Sequence, residues 1–245
     1  MENKASRYPF SKTSAVPFYD CDMRGRLKVS AALRYIQQAA TDQLDGMGLT
    51  HPALKSEGVV FVLAALALVV RRMPRAGETL LISTCPVATA GAQMLRETAV
   101  EEAESGEALL ECQTAWAIID PESGRLLRPS AFRHELPRLE GWSPTVNPAK
   151  IRIPDGVDPA GERAVRFSDL DLNDHMNNTV YADILTDCFP EQMREREIGT
   201  LLLRYRSQAR LGEVMALSTG RKDGVFWASA AIEGRRCFEG SVTFR

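Results

Sequence analysis

Histidine is nearly missing from this chain: there are three in 245 residues, His51, His134 and His175. Cysteine is sparse and badly placed for ligation. The five residues Cys21, Cys85, Cys112, Cys188 and Cys237 are odd in number, widely spaced and free of any C-x-x-C pair. That pattern argues against both a disulfide framework and a zinc site, and it fits reduced thiols in a cytoplasmic protein. No metal and no cofactor are expected. A basic excess is also lacking. Thirty Lys and Arg stand against 32 Asp and Glu, for a formal charge of -2, which speaks against a nucleic-acid binder. The longest apolar run, Val59 to Val70, has twelve residues; a membrane span needs about 20, so none is expected. The first residues, Met-Glu-Asn-Lys-Ala-Ser, are polar, so no signal peptide is expected either. Lysine is scarce too, since 24 of the 30 basic residues are arginine. A phosphate-bearing partner suits guanidinium groups, although a codon bias is the simpler source.

What the chain does have is concentrated in thirteen residues, Arg166 to Asn178, reading R-F-S-D-L-D-L-N-D-H-M-N-N. Asp171, Asn173 and His175 alternate there, directly before an amphipathic stretch. A carboxylate, an amide and an imidazole so close together can polarise a carbonyl, position a water and move protons. Asp169-x-Asp171-x-Asn173 opens like a calcium loop. However, the sixth position is Asp174 rather than glycine and the twelfth is Val180 rather than glutamate, which excludes an EF-hand. Asn177-Asn178-Thr179 has the form of a glycosylation sequon, which means little without a secretory signal.

The segment has a partner in the first half. Val16-Pro-Phe18-Tyr-Asp20-Cys-Asp22 matches Val165-Arg-Phe167-Ser-Asp169-Leu-Asp171 at an offset of 149 residues. Arg71 to Thr84 matches Arg206 to Thr219 at an offset of 135, with six of fourteen positions identical. Two matches in the same order point to a duplication. The difference in offset gives the first half about fourteen extra residues between its two matched segments. Asp20 and Asp22 repeat Asp169 and Asp171, so a turn or cap role is open for both acids. Asn173 and His175 align with Arg24 and Arg26 instead. The distinctive pair exists once.

Each half reads as a short strand carrying Val-x-Phe-x-Asp-x-Asp, then a helix, then four strands. The first helix is expected to start at an N-cap Ser30, to bury Leu33, Ile36, Ala40 and Leu44, and to end near Gly46 or Gly48. The second is expected to start near Asn177 or Asn178 and to bury Val180, Ile184, Leu185 and Cys188. The strands are expected at 59–72, 78–87, 93–104 and 108–120, and at 199–209, 213–220, 224–233 and 236–245. Five of the thirteen prolines, Pro137, Pro144, Pro148, Pro154 and Pro159, fall between the halves. The expected organisation is a first domain at 1–135, a proline-rich linker at 136–161 and a second domain at 162–245. A long helix leaned on an antiparallel sheet, made twice, is an α+β fold, and the two sheets can hide an edge by pairing side by side.

Ser168-Asp-Leu-Asp171-Leu-Asn173-Asp-His175-Met-Asn177-Asn178-Thr-Val-Tyr181 resembles the acyl-ACP thioesterases, whose usual form is S-D-L-D-x-N-x-H-V-N-N-x-x-Y. Gly58-Val-Val-Phe61-Val62-Leu63, Leu95-Arg96-Glu97 and Thr114-Ala-Trp116 through Asp120, Gly124 and Arg125 resemble further family segments in the same order. The likeness covers nearly all of residues 15–245. It implies a tandem hotdog fold, each repeat having a long central helix wrapped by an antiparallel sheet. The first repeat would hold a fatty acyl chain and the second would do the chemistry.

The resemblance implies hydrolysis of a thioester on acyl carrier protein, an acidic partner bearing a phosphopantetheine arm. Asp171 would activate water or attack directly, and Asn173 and His175 would orient the nucleophile and polarise the carbonyl. Backbone N–H groups near Asn177 and Asn178 would hold the oxyanion. Phe61, Leu63, Leu66 and Leu68 would line the acyl tunnel, with ordinary core as the alternative for each. Arg71, Arg72 and Arg75, or Arg204, Arg206 and Arg210, would receive the carrier. One position departs from the family. Gln208 stands where a glutamate is usual, and Ala209 where cysteine is frequent. Gln208 can donate and accept hydrogen bonds but takes no proton near neutral pH. An acyl-CoA thioesterase and an acyl-binding protein with weak turnover are therefore the competing readings. A monomer would suffice, the tandem repeat supplying the pairing that single hotdog domains get as dimers; a homodimer is also open.

Overall fold

The structure is a computed structural model that describes residues 7–139, 141–142, 151, 153 and 157–245. Strands β1 (Phe10–Ala15), β2 (Val60–Val70), β3 (Thr79–Ala90), β4 (Gln93–Glu102) and β5 (Ala108–Ile119) belong to the first half, with the two-residue β6 (Leu126–Leu127) beside β5. Strands β7 (Asp158–Ala164), β8 (Ile198–Tyr205), β9 (Val214–Lys222), β10 (Val225–Ile232) and β11 (Arg235–Phe244) belong to the second. All eleven make one antiparallel sheet in the order β1-β3-β4-β5-β2-β8-β11-β10-β9-β7, with β6 off the path. Read outward from the β2–β8 seam, each half runs through its own strands in the same order. The duplication inferred from two short matches is thus a duplication of topology, and the arrangement is the expected α+β double hotdog.

The seam pairs Ala65 with Arg204, Leu66 with Leu203, Ala67 with Leu202, Leu68 with Leu201 and Val69 with Thr200. Ala65 and Ala67 on one face and Leu66 and Leu68 on the other are all buried, so the sheet is covered on both faces at the seam. Eight strands expected from periodicity are all present within about four residues of their expected ends, the largest difference being β8, which stops at Tyr205. Three further strands, β1, β7 and the two-residue β6, lie outside those ranges. The heptads Val16–Asp22 and Val165–Asp171, expected as strands, follow β1 and β7 and form 3-10 turns at Phe18–Asp20 and Phe167–Asp169. Pro17 has no N–H to give a ladder. The Asp20 carboxylate instead accepts from Arg34 and from the Tyr35 hydroxyl, while Asp169 accepts a fork from Arg163 at 2.8 Å and the Arg166 N–H at 2.8 Å. β7 begins inside the stretch expected as linker; Pro144, Pro148 and Pro154 of that stretch lie outside the described residues.

Helix α1 (Val29–Gly46) buries Val29, Ala32, Leu33, Ile36, Ala39 and Ala40 against the sheet. Ser30 is not its cap. It lies inside the first turn, because the start is set by backbone bonds: the Lys28 N–H donates to Asp20 and the Lys28 carbonyl accepts from Ala32. At the other end Gly48 takes a left-handed φ of 78° and the Leu49 N–H closes on the Leu44 carbonyl, as helix ends favour. The second half has no long helix. α3 (Val180–Asp187) has eight residues, and Pro190 interrupts the chain before the single turn α4 (Glu191–Arg194), since proline cannot continue a helix. Most of the extra residues of the first half lie in its longer helix, α1 having 18 residues against 8 in α3, with the rest in α2 (His51–Ser56), 6 residues against 4 in α4, and in β2, 11 against 8 in β8.

α3 sits very close to β11. A Cβ built on Gly240 would lie 2.9 Å from Leu185 Cδ2 and 3.2 Å from Leu203 Cδ2. Gly240→Val is therefore expected to destabilise the fold by about 1–3 kcal/mol through overpacking, read as a lowered midpoint in urea; an unchanged midpoint would mean that α3 yields freely.

Candidate active site

The two 3-10 turns lead into two nearly identical tight turns. In the second half the Asp171 N–H donates to the His175 carbonyl at 3.0 Å and the Asp174 N–H to the Asp171 carbonyl at 3.1 Å. In the first, Asp22 and Arg26 are joined at 2.7 Å and Gly25 and Asp22 at 2.9 Å. The fourth position needs a left-handed backbone. Gly25 supplies it at φ 72° and Asp174 at φ 60°, aspartate being one of the few side chains that tolerate it. In each turn the aspartate Oδ1 also accepts the N–H two residues on, from Asn173 at 2.8 Å and from Arg24 at 2.9 Å. The repeated aspartate is thus a turn-former in both halves.

Its second oxygen separates them. Asp22 Oδ2 is engaged by Arg26, whose Nε donates at 3.0 Å, and Arg24 is itself paired with Glu195 at 2.6 Å. Burial opposes the Asp22 charge. The Arg26 and Arg24 N–H groups and the Arg26 guanidinium outweigh it and hold the carboxyl below its usual range. Asp171 Oδ2 has only Asn177 Nδ2 at 3.4 Å, and His175 Nδ1 stands 4.0 Å from Oδ1. No arginine or lysine pairs with Asp171 among the described residues.

Each turn faces a cleft whose other wall comes from the opposite half. A cleft of about 620 Å³ contains Asp171, Asn173, His175, Asn177, Asn178 and Gln208 from the second half. From the first half it takes Gln37 on α1, His51 and Lys55 on α2, Phe61 and Leu63 on β2, and Trp116 on β5. The structure therefore brings together all six polar residues singled out from the sequence and two of the four apolar ones. Leu66 and Leu68 line neither this cleft nor the pocket beside it. Both are fully buried in the main core: the bulge between Leu63 and Ala65 keeps them on the same face as Leu63, opposite Thr114 and Cys112 where Leu63 is opposite Trp116, but farther along the strand from the cleft. The counterpart cleft of about 500 Å³ has Asp22, Arg26 and Lys28 on one side and Asp183, Thr186 and Asp187 of α3 on the other.

Next to the first cleft lies a narrower pocket of about 180 Å³, walled by Leu44, Leu49, Leu54, Met94, Leu95 and Leu136. It shares Gln37, His51, Val60, Phe61 and Trp116 with the cleft. Leu49, His51 and Leu54 belong to α2 and the loop before it, and Ala40, Thr41, Leu44 and Asp45 to the part of α1 that exceeds α3 in length. The added length of the first helix thus helps to wall the apolar pocket.

Among the N–H groups at the start of α3, Asn177 donates to the Asp169 carbonyl, Thr179 to Asn177 Oδ1 and Val180 to the Asn177 carbonyl. The Asn178 N–H finds no acceptor among the described residues. Of the two positions expected to hold an oxyanion, then, Asn178 is the one with a donor to give. The half-buried Tyr205 hydroxyl donates to the Asn178 carbonyl at 3.0 Å, and Tyr181 packs edge-on against Tyr205. Burial pushes both phenols above their usual range. Tyr205 anchors the Asn178 backbone through that hydrogen bond, with Tyr181 packed against it. The Asn173 and Gln208 side chains face the cleft without partners among the described residues; Gln208 is held by its carbonyl, which accepts from Arg235 Nη1 at 2.6 Å. Arg71 and Arg72 are engaged by Glu111, Glu78 and Glu107, whereas Arg206, paired with Glu239, borders the cleft. Among the described residues no helix is long and apolar enough to cross a membrane.

Comparison with known proteins places this architecture. Over 81% of its length the chain is 23% identical to the chloroplastic palmitoyl-acyl carrier protein thioesterase of Cuphea hookeriana. It spans about half the length of the curated relatives it matches, 51% in that case. An acyl-ACP thioesterase from Bacteroides thetaiotaomicron has the same fold, with a TM-score of 0.83 at 18% identity over 96% of this chain and 97% of that one. The 12:0-ACP thioesterase from Umbellularia californica also shares it, with a TM-score of 0.77 at 19% identity over 96% of both chains. The sequence model of the acyl-ACP thioesterase N-terminal domain matches residues 7–130 and that of the C-terminal domain residues 157–234. With both domain models matched in order, one on each half of the duplicated sheet, the chain belongs to the acyl-ACP thioesterase family.

Proposed function

We propose that this chain hydrolyses fatty acyl thioesters borne on the phosphopantetheine arm of an acyl carrier protein and releases the free acid. The observation that carries this reading is the junction of the two cavities. A polar cleft holding a carboxylate without a cationic partner opens directly onto an apolar pocket, as a thioester with a long tail requires. The acyl chain lies in the first-half pocket, and the second-half turn does the chemistry.

Asp171 takes a proton from water, the resulting hydroxide adds to the carbonyl carbon, and the C–S bond then breaks. Asn173 and His175 orient the water and the carbonyl. The Asn178 N–H meets the oxygen as it becomes negative. A thiolate leaves readily, so its protonation by the acid formed at Asp171, by His175 or by solvent is not demanding. Gln208 holds water by hydrogen bonding and needs no charge to do so. Lys55 and Arg206 at the cleft suit an acidic carrier. Five free cysteines fit a reducing compartment such as the cytoplasm, and one chain suffices because the β2–β8 seam already joins two hotdogs.

The test is thiol release from acyl carrier protein and from coenzyme A charged with the same acyl chain. Faster release from the carrier protein is expected. Faster release from coenzyme A would move the assignment to an acyl-CoA thioesterase, and none from either would leave an acyl-binding protein.

A further inference from the structure

Five residues face both the cleft and the apolar pocket: Gln37, His51, Val60, Phe61 and Trp116. With the tail in the pocket and the thiol leaving through the cleft, the reacting carbonyl lies along this border. Most of the border is apolar or already satisfied. Trp116 Nε1 donates to Thr114 Oγ1 at 2.9 Å, and His51 is exposed at the start of α2. Gln37 differs. Its Nε2 is buried and has no acceptor among the described residues. An unpaired buried donor costs about 1–3 kcal/mol, and native interiors keep few of them. The group this donor lacks is an acceptor, and a carbonyl oxygen is what a thioester brings to that border.

The relic cleft offers an internal comparison. Gln37 follows Asp22 by fifteen residues, and Thr186 follows Asp171 by the same fifteen. Thr186 lines the relic cleft, but its hydroxyl is satisfied by the Asp183 carbonyl at 3.0 Å. The helix residue facing the polar Asp171–Asn173–His175 turn is unsatisfied, whereas the one facing the arginine-locked turn is not.

We propose that Gln37 Nε2 donates to the thioester carbonyl oxygen, so that a residue of the first-half helix touches the reacting group. The inference rests on the thioesterase reading above. As the carbonyl carbon becomes tetrahedral its oxygen gains charge, and the bond strengthens where it aids the reaction. Gln37 is then a catalytic residue, and the active site is assembled from both repeats.

Gln37→Leu keeps the length and helix preference of the side chain and removes the donor. It is expected to lower kcat about tenfold or more, with a smaller rise in KM because the same bond is made more weakly to the ground-state carbonyl, and with no loss of thermal stability, since the native donor is unpaired. Gln37→Glu should lose at least as much. Binding is measured with two pantetheine conjugates: the dodecanoyl amide, which keeps the carbonyl, and the S-dodecyl thioether, which lacks it. Gln37→Leu should weaken the amide and leave the thioether unchanged. Equal effects on the two conjugates, or wild-type kcat in Gln37→Leu, overturn the proposal. If the wild-type protein hydrolyses no thioester, the functional reading fails, while the amide and thioether comparison still decides whether Gln37 meets a carbonyl.

Discussion

Asp171→Asn is expected to lower kcat for acyl thioester hydrolysis by about a hundredfold to ten-thousandfold, the range for loss of a working general base. The change is nearly isosteric. The Asn173 N–H keeps its acceptor, now an amide oxygen, so the turn closed by Asp171, Asp174 and His175 should survive. Only the capacity to take a proton is lost. Three comparisons separate chemistry from scaffolding. Asp22→Asn alters the same turn position in the first half and should leave turnover near normal, because Asp22 is already locked by Arg26. Gln208→Ala should cost less than Asp171→Asn, since an amide can hold water but cannot be the base. Thermal melts should show Asp171→Asn folded. Near-normal kcat in Asp171→Asn would remove Asp171 as base and leave the proton acceptor to be found elsewhere in the cleft.

His175→Ala is expected to lose roughly a hundredfold or more in kcat, whereas the double change Arg24→Ala/Arg26→Ala should leave turnover within a few-fold. The two substitutions address equivalent turns. The structure gives His175 a place in the cleft that opens onto the apolar pocket, and gives Arg26 a place in a cleft without one. The arginines are partnered with Glu195 and Asp22, pairs open enough to solvent to contribute about 0–1 kcal/mol each. Their removal should be felt little in stability as well. Steady-state kinetics on both variants with one acyl-ACP decides the matter. A larger loss in the arginine variant would put the chemistry in the first half.

Legibility followed the range of the interactions involved. The strands built on alternating or continuous apolar residues could be read because each carries its own pattern, and the joining of two sheets edge to edge followed from the duplication, though not which strands make the seam. The heptads beginning at Val16 and Val165 misled, because their acids are drawn to Arg34, Tyr35 and Arg163, partners that are distant along the chain or fixed only by the turn itself. β1 and β7 were missed because their exposed, mixed composition has no apolar alternation. The break in the second helix was written in Pro190 but not weighed. Asp171, Asn173 and His175 stood out by type and spacing. The residues that complete the cleft, Gln37, His51, Trp116 and Tyr205, did not, since each lies in an ordinary helix or strand and becomes significant only when the other half folds against it. Leu66 and Leu68 show the converse: apolar residues on one face of a strand do not tell where along it a pocket wall gives way to core.

The most direct test of the central claim is a single assay of free thiol released from long-chain acyl-ACP, run side by side on the wild-type chain and on Asp171→Asn at one pH. Steady release by the wild type, reduced about a hundredfold or more in the variant, is the predicted result. Equal rates in the two proteins, or no release by the wild type above the rate without protein, would contradict it.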